Sequence, residues 1–306
     1  MDRKIVSELK KIWFRVTKNP RYFEYKLELK DQKYLKRCNN GFLETIAKIE
    51  EGIKNKSELN FKHSGHIGDL VYALPVIKEL AKTKKCNFFV NVNHSLGGSY
   101  YKHPSGNIMI SDRSFSMLLP LLKSQDYISE AKKWENEPID IDLDLFRKFP
   151  FSSDFHSIRW FFHIVGKQID MTLPYLSLNK IEKYKDTIVV VRTFRGRNPI
   201  IDYRFLQKQS NILFLGIKSE YDDFVKLVPN SEFYDTKDFL ELAEIINSCK
   251  FIICNQTFAF AVAEGLKVPR ILEANPFIPA VFPIGGNGFD FYFQSKFEEL
   301  VHELSF

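Results

Sequence analysis

The spacing of apolar residues divides the chain into an N-terminal part and two longer blocks. Up to residue 58, apolar residues recur every three or four positions, which predicts amphipathic helices. These predicted helices are 5–16, 22–37 and 43–54. From residue 59 onward, short apolar runs alternate with amphipathic segments in two successive blocks. Such alternation is typical of α/β domains with parallel sheets.

We therefore predict an α/β fold with two Rossmann-like, doubly wound parallel-sheet domains and a helical N-terminal extension. The predicted ranges are 1–58 for the extension, 59–185 for the first domain and 186–306 for the second. In open parallel sheets, ligands bind beyond the carboxyl ends of the strands. Four loops follow predicted strands and are expected to open onto one cleft. They are 63–69, 192–197, 216–220 and 255–257.

The segment LNFKHSGHIGDLVYALPVIKEL, residues 59–80, is the clearest local pattern in the chain. It predicts a short strand, a turn-prone loop and a helix over 70–83, with Asp69 at the helix start. Gly68 allows the backbone to approach a ligand closely. A helix N-terminus carries unpaired N–H groups and a partial positive charge, which suit an anion or a reacting carboxylate. The alternative is that Asp69 only caps the helix.

Three arginines follow the β-branched strand predicted by TIVVV. They are Arg192, Arg195 and Arg197. A guanidinium can bind two phosphate oxygens at once, so Arg195 and Arg197 are candidates for contact with a diphosphate. The alternative is that both side chains are simply solvated.

Three further polar residues lie where predicted strands give way to helices. Thr257 begins a helix directly after a strand, so its hydroxyl and N–H would meet a phosphate or serve as an N-cap. Glu220 follows Gly216 and would accept hydrogen bonds from ribose hydroxyls, or would simply favour the helix start. Thr236 lies in a segment expected to contact a base through its backbone.

Composition narrows the class of protein. Of the 306 residues, 44% are hydrophobic, yet no apolar run reaches the ~18 to 20 residues of a membrane span. The N-terminus lacks the apolar core of a secretory signal, so we expect a cytoplasmic protein. The four cysteines form no CxxC pair and the seven histidines no metal-ligand spacing, so reduced thiols and no bound metal are expected. In PIDIDLDLF, three aspartates would share one side of a strand, and a solvated edge is favoured over a metal triad.

The positive charge is concentrated in the N-terminal extension. Residues 1–60 contain 15 Lys/Arg and 9 Asp/Glu, whereas the remainder contains 29 of each. Basic residues mixed with aromatic ones would dock on an anionic membrane surface or on nucleic acid. A helical cap, with its aromatic side chains packed on the next domain, is the alternative that this moderate charge favours.

Two segments together resemble a known family. GDLVYALPVIKEL is similar to the Gly-Asp-x5-Pro-x4-Leu opening of glycosyltransferase family nine, the heptosyltransferases. DTKDFLELAEIINSCKFIICNQTFAFAVAEGLKVPRIL is similar to its second signature, and RTFRGRN lies where the family has a basic phosphate-binding loop. The resemblance covers residues 59–272 and implies the GT-B architecture, in which donor and acceptor meet between two Rossmann-like domains. The family's Asp-Ser/Thr-Gly-x-x-His is replaced here, beginning with Gln256, so the donor sugar is left open.

The resemblance implies an inverting, metal-independent glycosyltransferase with a nucleotide sugar as substrate and no cofactor. Asp69 would be the general base, with His66 as a rival, because an imidazole can accept a proton near neutral pH. The donor would be bound by Arg195, Arg197, Glu220, Thr236, Gln256 and Thr257. His63 and Gly68 would lie on the acceptor side. The acceptor would be a glycan or lipid-linked saccharide, with nucleic acid and protein as alternatives. A binding protein with a degenerate cleft, or another GT-B enzyme such as a nucleotide-sugar epimerase, remains an alternative.

Overall fold

The computed structural model describes residues 3–95, 108–152, 154–277 and 279–305. Its strands are β1 (Glu58–His63), β2 (Lys85–Val90), β3 (Glu130–Lys133), β4 (Ile141–Asp142), β5 (Ile188–Val191), β6 (Ile212–Leu215), β7 (Ser231–Tyr234), β8 (Phe251–Asn255), β9 (Arg270–Glu273) and β10 (Gly288–Phe291). Its α-helices are α1 (Arg3–Val16), α2 (Tyr22–Cys38), α3 (Phe42–Asn55), α4 (Ile67–Tyr72), α5 (Leu74–Ala81), α6 (Asp112–Lys123), α7 (Ile158–Val165), α8 (Lys218–Phe224), α9 (Phe239–Ser248), α10 (Phe258–Leu266) and α11 (Gln294–Ser305). Short 3₁₀ helices are Leu143–Lys148, Glu182–Tyr184 and Arg204–Lys208.

The strands form two parallel sheets, which confirms the predicted fold class. The first sheet has the order β3-β2-β1-β4 and the second has the order β10-β9-β8-β5-β6-β7. Strand β5 is buried along its whole length and its residues alternate between two apolar cores. Ile188 and Val190 face one core, while Val189 and Val191 face the other. Burial on both faces explains why this strand is an uninterrupted run of β-branched residues.

The two sheets are joined by a continuous apolar core. Helix α4, which follows β1, packs against α10, which follows β8. Buried residues from both helices and from both sheets belong to one cluster. The division of the chain into domains at 58/59 and 185/186 therefore stays a prediction, although each sheet is contributed by one of the predicted ranges.

The single helix predicted over 70–83 is wrong in its continuity and its start. Helix α4 begins at Ile67 and ends at Tyr72, and α5 begins at Leu74 with Pro75 in its first turn. Proline has no N–H to donate to the carbonyl four residues earlier, and its ring collides with that carbonyl. The break at Ala73 lets Pro75 occupy a helix start, where a missing N–H costs little.

Two other segments differ from what the sequence predicts, and one predicted loop falls on residues that the structure does not describe. The acidic segment is not an extended strand, because β4 ends at Asp142 and the Asp142 side chain accepts a hydrogen bond from the Asp144 N–H, starting a 3₁₀ helix. Strand β10 was not predicted; it pairs with β9. The predicted polar loop 95–107 lies, except for Ser95, outside the described residues.

The N-terminal extension consists of one docked helix and two less buried ones. Ile49 of α3 is buried, and the Phe42 ring meets Phe149 of the first sheet's lobe edge-on at 6.0 Å. This part agrees with the predicted cap. Trp13 of α1 and Phe23 of α2 are exposed, so the prediction that these aromatic residues pack on the next domain is wrong. None of the helices that the structure describes has both the length and the apolar character needed to cross a bilayer.

Candidate active site

Asp69 lies in the first turn of α4, after the loop that leaves β1. The N-cap residue of α4 is His66, whose side chain makes no capping hydrogen bond. Asp69 is therefore the third helical residue, and the interpretation of Asp69 as an N-cap is wrong. Its carboxylate is half-buried and makes no hydrogen bond or ion pair with any residue that the structure describes. A carboxylate held in a helix first turn, with no hydrogen bond or ion pair to the residues described, is available to accept a proton.

A set of buried and half-buried polar side chains holds the backbone of this loop. The fully buried His63 accepts a hydrogen bond from the Gly65 N–H through Nδ1, at 2.9 Å, and the same nitrogen lies 3.3 Å from Asp144 Oδ1. Asp144 also accepts hydrogen bonds from the N–H and hydroxyl of Ser64 and forms an ion pair with Arg147. Burial would raise the pKa of Asp144, but His63, Arg147 and Ser64 together hold it below its ordinary value.

This burial bears on the expected role of His63. Its ring has no exposed surface, and its Nε2 is buried with no hydrogen-bond partner in the described part of the chain. A ring buried in this way is not placed to contact an acceptor directly. It instead holds the backbone of the loop that precedes Asp69. A methyl group added at Gly65 would lie 2.4 Å from the His63 ring, so only glycine fits between ring and loop.

In the second sheet, buried side chains bind the basic loop that follows β5. The guanidinium of Arg192 binds the Glu273 carboxylate through Nε at 2.8 Å and Nη2 at 3.0 Å, and both side chains are buried. Glu273 also accepts hydrogen bonds from the Asn198 N–H and the Tyr203 hydroxyl. Asn255, at the end of β8, donates to the carbonyls of residues 193 and 195 and accepts from the N–H of residue 193.

Glu220 and Arg197 complete this arrangement. Glu220 is buried and accepts a hydrogen bond from the Phe194 N–H at 3.1 Å. Burial raises its pKa, while that hydrogen bond and the charge of Arg197 oppose the rise. Arg197 turns back onto the loop, where it binds Asp223 at 2.5 Å and two main-chain carbonyls. Both residues therefore already have protein partners at this loop.

Arg195 differs from its two neighbours. Its side chain is exposed and makes no hydrogen bond or ion pair with a residue in the described part of the chain. Its main-chain carbonyl, by contrast, accepts hydrogen bonds from Asn255 and from the Thr193 hydroxyl. The backbone at Arg195 is fixed and its guanidinium is available for a ligand.

The N-terminus of α10 lacks a side-chain cap. Thr257 occupies the N-cap position, but its hydroxyl does not bond to the helix and is buried with no hydrogen-bond partner among the described residues. The first N–H groups of this helix therefore receive no capping bond from Thr257. Gln256, the preceding residue, accepts a hydrogen bond from the Ala280 N–H at 3.3 Å.

These groups meet where α4 packs against α10. A methyl group added at Gly68 would lie 3.9 Å from the Cα of Phe258, so the first turn of α4 rests on the first residue of α10. The pKa of His66 is lowered chiefly by burial; Asp69 and a main-chain hydrogen bond at Met109 raise it, and the charge of Arg195 lowers it. Asn255, which binds the Arg195 carbonyl, ends β8 directly before α10, so the basic loop lies beside the same helix start.

The structure does not connect every predicted site residue. No hydrogen bond or ion pair within the described residues joins Thr236 to the group. Glu264 of α10 is fully buried and forms ion pairs with Arg270, at 2.6 Å, and with Lys267. No group of three or more His, Cys, Asp or Glu in the described ranges is arranged to hold a metal ion.

Comparison with known proteins found relatives only among solved structures. No family model matches the chain, and no curated protein matches it. The glycosyl transferase family 9 protein from Veillonella parvula DSM 2008 aligns with a TM-score of 0.53 and 12% identity, covering 81% of this chain and 88% of that one. Escherichia coli heptosyltransferase WaaC with ADP aligns with a TM-score of 0.56 and 12% identity, covering 81% and 99%. WaaC with ADP-2-deoxy-2-fluoro heptose aligns with a TM-score of 0.50 and 12% identity, covering 80% and 99%.

At this identity the similarity is one of fold. It confirms that the chain has the two-sheet architecture of heptosyltransferases, as the resemblance of its two motifs implied. About four-fifths of the chain is included in these alignments.

Proposed function

We propose that this protein is a glycosyltransferase that moves a sugar from a nucleotide sugar to a hydroxyl group of an acceptor. The observation that carries the proposal is the junction of α4 with α10. There the carboxylate of Asp69, which makes no hydrogen bond or ion pair with any described residue, lies beside a helix N-terminus that Thr257 does not cap, and the loop of Arg195 is bound to the end of β8 directly before that helix. A base on one side and groups that stabilise negative charge on the other are what sugar transfer from a diphosphate requires.

In the proposed reaction, Asp69 accepts the proton of the acceptor hydroxyl as its oxygen attacks the anomeric carbon. The bond from that carbon to the diphosphate oxygen breaks with inversion, and the electron pair leaves with the nucleoside diphosphate. The negative charge that develops there would be stabilised by Arg195 and by the N–H groups at the start of α10. The unpartnered Thr257 hydroxyl would donate to the same phosphate. This arrangement needs no metal ion.

His66 is the second candidate for the base. Burial lowers the pKa of His66, so its imidazole is neutral and able to accept a proton at neutral pH. Asp69 is preferred because it has no described protein partner. Arg197 and Glu220 would act on the donor through the loop that they hold, and Gln256 through the backbone at Ala280.

A binding test decides the first part of the proposal. Because WaaC was solved with ADP, the first ligand to test is ADP, followed by the diphosphates of uridine and guanosine. A nucleotide at one hundred times its Kd should stabilise the fold by about 2.7 kcal/mol, measured as a rise in Tm. If no nucleoside diphosphate raises the Tm, the donor site that we propose does not exist.

The Asp69→Asn variant tests the chemistry. It keeps the shape of the side chain but removes the base, so sugar transfer should fall by about 10² to 10⁴ while nucleotide stabilisation is unchanged. Asp126→Asn, at an exposed aspartate of the first lobe, is the matched control and should keep full activity. Full activity in Asp69→Asn would assign the base to another residue, with His66→Gln as the next variant to measure.

A non-catalytic nucleotide-binding protein is the second candidate function. The observation that favours it is Phe258, which stands where the family has glycine and whose ring packs against Phe239 at 4.6 Å. A bulky residue at the start of α10 limits the room for a sugar beside the phosphates. A Tm rise with nucleotide, together with no transfer or hydrolysis of any nucleotide sugar, would favour this candidate.

A further inference from the structure

Helix α1 presents an apolar face to solvent. Its members recur every three or four residues, so that they share one side of the helix. They are Val6, Leu9, Ile12, Trp13 and Val16, with 47% to 75% of each residue exposed. We call these five residues the apolar stripe. Among the described side chains, ten of the seventeen exposed large apolar ones lie in the first 43 residues, so the exposure is concentrated here.

Helix α2 packs on the other side of α1 and leaves the stripe uncovered. The Tyr25 hydroxyl of α2 donates to the Ser7 carbonyl at 3.5 Å, and the Tyr25 ring meets the buried Phe14 ring edge-on at 5.4 Å. The ammonium of Lys10 lies over both rings. On a helical projection, Phe14 and Ser7 lie opposite Leu9 and Val16, so α2 cannot cover the stripe. Phe23 and Leu27, one turn apart on α2, are also exposed.

Positive charge surrounds this apolar surface. Residues 1–43 contain twelve Lys/Arg and five Asp/Glu, a net charge of +7, while the rest of the chain has a net charge of −1. At 100° per residue, Lys10 flanks the stripe on one side, and Arg15 flanks it on the other together with Glu8, which is paired with Lys11. An exposed apolar stripe between basic flanks matches the interface of a bilayer that contains anionic lipids.

Other partners fit this surface less well. Nucleic acid would neutralise the basic residues but leave the aliphatic stripe without an apolar partner. A second copy of the chain, joined stripe to stripe, would bring two sets of basic flanks together. Of these three partners, only an anionic bilayer offers both an apolar environment for the stripe and negative charge for the basic residues beside it.

We propose that the α1–α2 hairpin is a membrane-surface anchor. The apolar stripe lies among the acyl chains, and the flanking basic residues lie at the anionic headgroups. The helix lies in the plane of the interface rather than crossing the bilayer. The anchor does not depend on the glycosyltransferase proposal, because none of its residues belongs to the α4–α10 junction.

Vesicle co-sedimentation of the full chain tests the anchor. Binding should be at least about tenfold stronger to vesicles of phosphatidylcholine with phosphatidylglycerol than to phosphatidylcholine alone, and added salt should weaken it. Ile12→Gln combined with Trp13→Gln should weaken binding by about tenfold or more. Lys18 is a second cation just after the end of α1, so Arg15→Gln combined with Lys18→Asn should abolish much of the preference for anionic vesicles. Leu173→Gln combined with Ile200→Gln is the matched control, because both residues are exposed outside the hairpin, and it should bind like the wild type.

Trp13 provides a reporter of insertion. The chain has three tryptophans, and Trp134 and Trp160 are less exposed than Trp13. Lipids brominated on their acyl chains should quench the fluorescence of Trp13 when vesicles are added, and Trp13→Phe should remove most of this quenching. Quenching that is unchanged in Trp13→Phe would contradict the proposed orientation.

Three results would overturn the proposal. The first is a folded protein that fails to sediment with anionic vesicles. The second is salt-sensitive binding to duplex DNA or RNA that depends on Arg15 and Lys18, without vesicle binding. The third is self-association that Ile12→Gln and Trp13→Gln abolish, again without vesicle binding. Nucleotide stabilisation, measured on the same samples, would be unaffected in all three cases, so failure of the anchor is distinct from failure of the proposed function.

Discussion

The loop after β1 and the loop after β5 both lie at the α4–α10 junction and use their charged residues in opposite ways. In the loop after β5, Arg192 forms an ion pair with Glu273 and Arg197 forms one with Asp223. Of the three arginines, only Arg195 has no described side-chain partner. The loop after β1 is held by Asp144, which lies in the 3₁₀ helix Leu143–Lys148 and is paired with Arg147. Asp69, in the first turn of α4, is left without a described partner.

The comparison suggests a division of labour. Each loop has buried groups that fix its backbone and one ionisable side chain that is left for a ligand. The second sheet fixes its loop with an ion pair between the ends of β5 and β9, which lie on either side of β8, whereas the first fixes its loop with a histidine and a carboxylate. A fixed backbone is useful at such a site because catalytic groups must already be in position when the substrate binds.

The largest expected effect comes from breaking the ion pair that fixes the basic loop. Glu273→Gln leaves the guanidinium of Arg192 charged, buried and without its counter-ion. Removing one partner of a buried pair costs about 3–5 kcal/mol, so the free energy of unfolding should fall by that amount, as measured by urea denaturation followed by circular dichroism.

Two variants serve as references for that measurement. Asp222→Asn removes an exposed pair with Lys218 on α8 and should change the free energy of unfolding by less than about 1 kcal/mol. Arg192→Met combined with Glu273→Gln removes the buried charge and should recover part of the loss. If Glu273→Gln costs no more than Asp222→Asn, the ion pair does not fix the loop.

A smaller effect should separate the two arginines that the sequence could not distinguish. Arg195→Ala should leave the free energy of unfolding unchanged and weaken nucleotide binding by about 10- to 100-fold, since a hydrogen bond to a charged group contributes about 1.5–3 kcal/mol. Arg197→Ala should instead destabilise the fold, because Asp223 and two carbonyls lose their donor.

Isothermal titration calorimetry with the nucleotide found by the Tm screen, paired with urea denaturation, measures both quantities. Equal losses of affinity in both variants, with no loss of stability in Arg197→Ala, would show that the two residues do not divide their roles as we propose.

The strands and the Asp69 loop could be predicted because their signals are local. Runs such as IVVV and FIIC identify buried strands, and Gly68-Asp69 before an apolar-periodic segment identifies a strand-to-helix turn. Strand β10 could not be predicted, because GFDF is short and only half-buried, and it is a strand only because β9 lies beside it.

The ion pair that fixes the basic loop could not be predicted from the sequence, for a different reason. Arg192 and Glu273 are 81 positions apart and lie at the ends of strands on either side of β8, where Asn255 is found. Pairing them requires the strand order, which no local pattern gives. The available signal was that each is a polar residue closing a buried apolar strand, and the same signal holds for Asn255.

The smallest expected effect concerns the contact between the first lobe and the C-terminal loop. His156 Nε2 lies 2.8 Å from the Phe282 carbonyl, and Nδ1 accepts a hydrogen bond from the Ile158 N–H at 3.3 Å, which together require the neutral ring with its proton on Nε2. Burial lowers the pKa of His156; the Phe282 hydrogen bond opposes this, and the charges of Lys267 and Arg159 add to it.

Because the folded pKa is lowered, the unfolded chain takes up the proton first as the pH falls below the ordinary histidine value of 6.5. The free energy of unfolding should therefore decrease from neutral to mildly acidic pH, by at most about 1.4 kcal/mol per pH unit for one proton.

His156→Gln should be less stable at pH 7.5, but its free energy of unfolding should decrease less on acidification, as measured by urea denaturation at each pH. His94→Gln, at an exposed histidine, should keep the wild-type slope. Since burial also lowers the pKa of His66 and His163, a residual slope of the same sign is expected in His156→Gln. An undiminished slope would mean that the neutral form of His156 does not hold the C-terminal loop at Phe282.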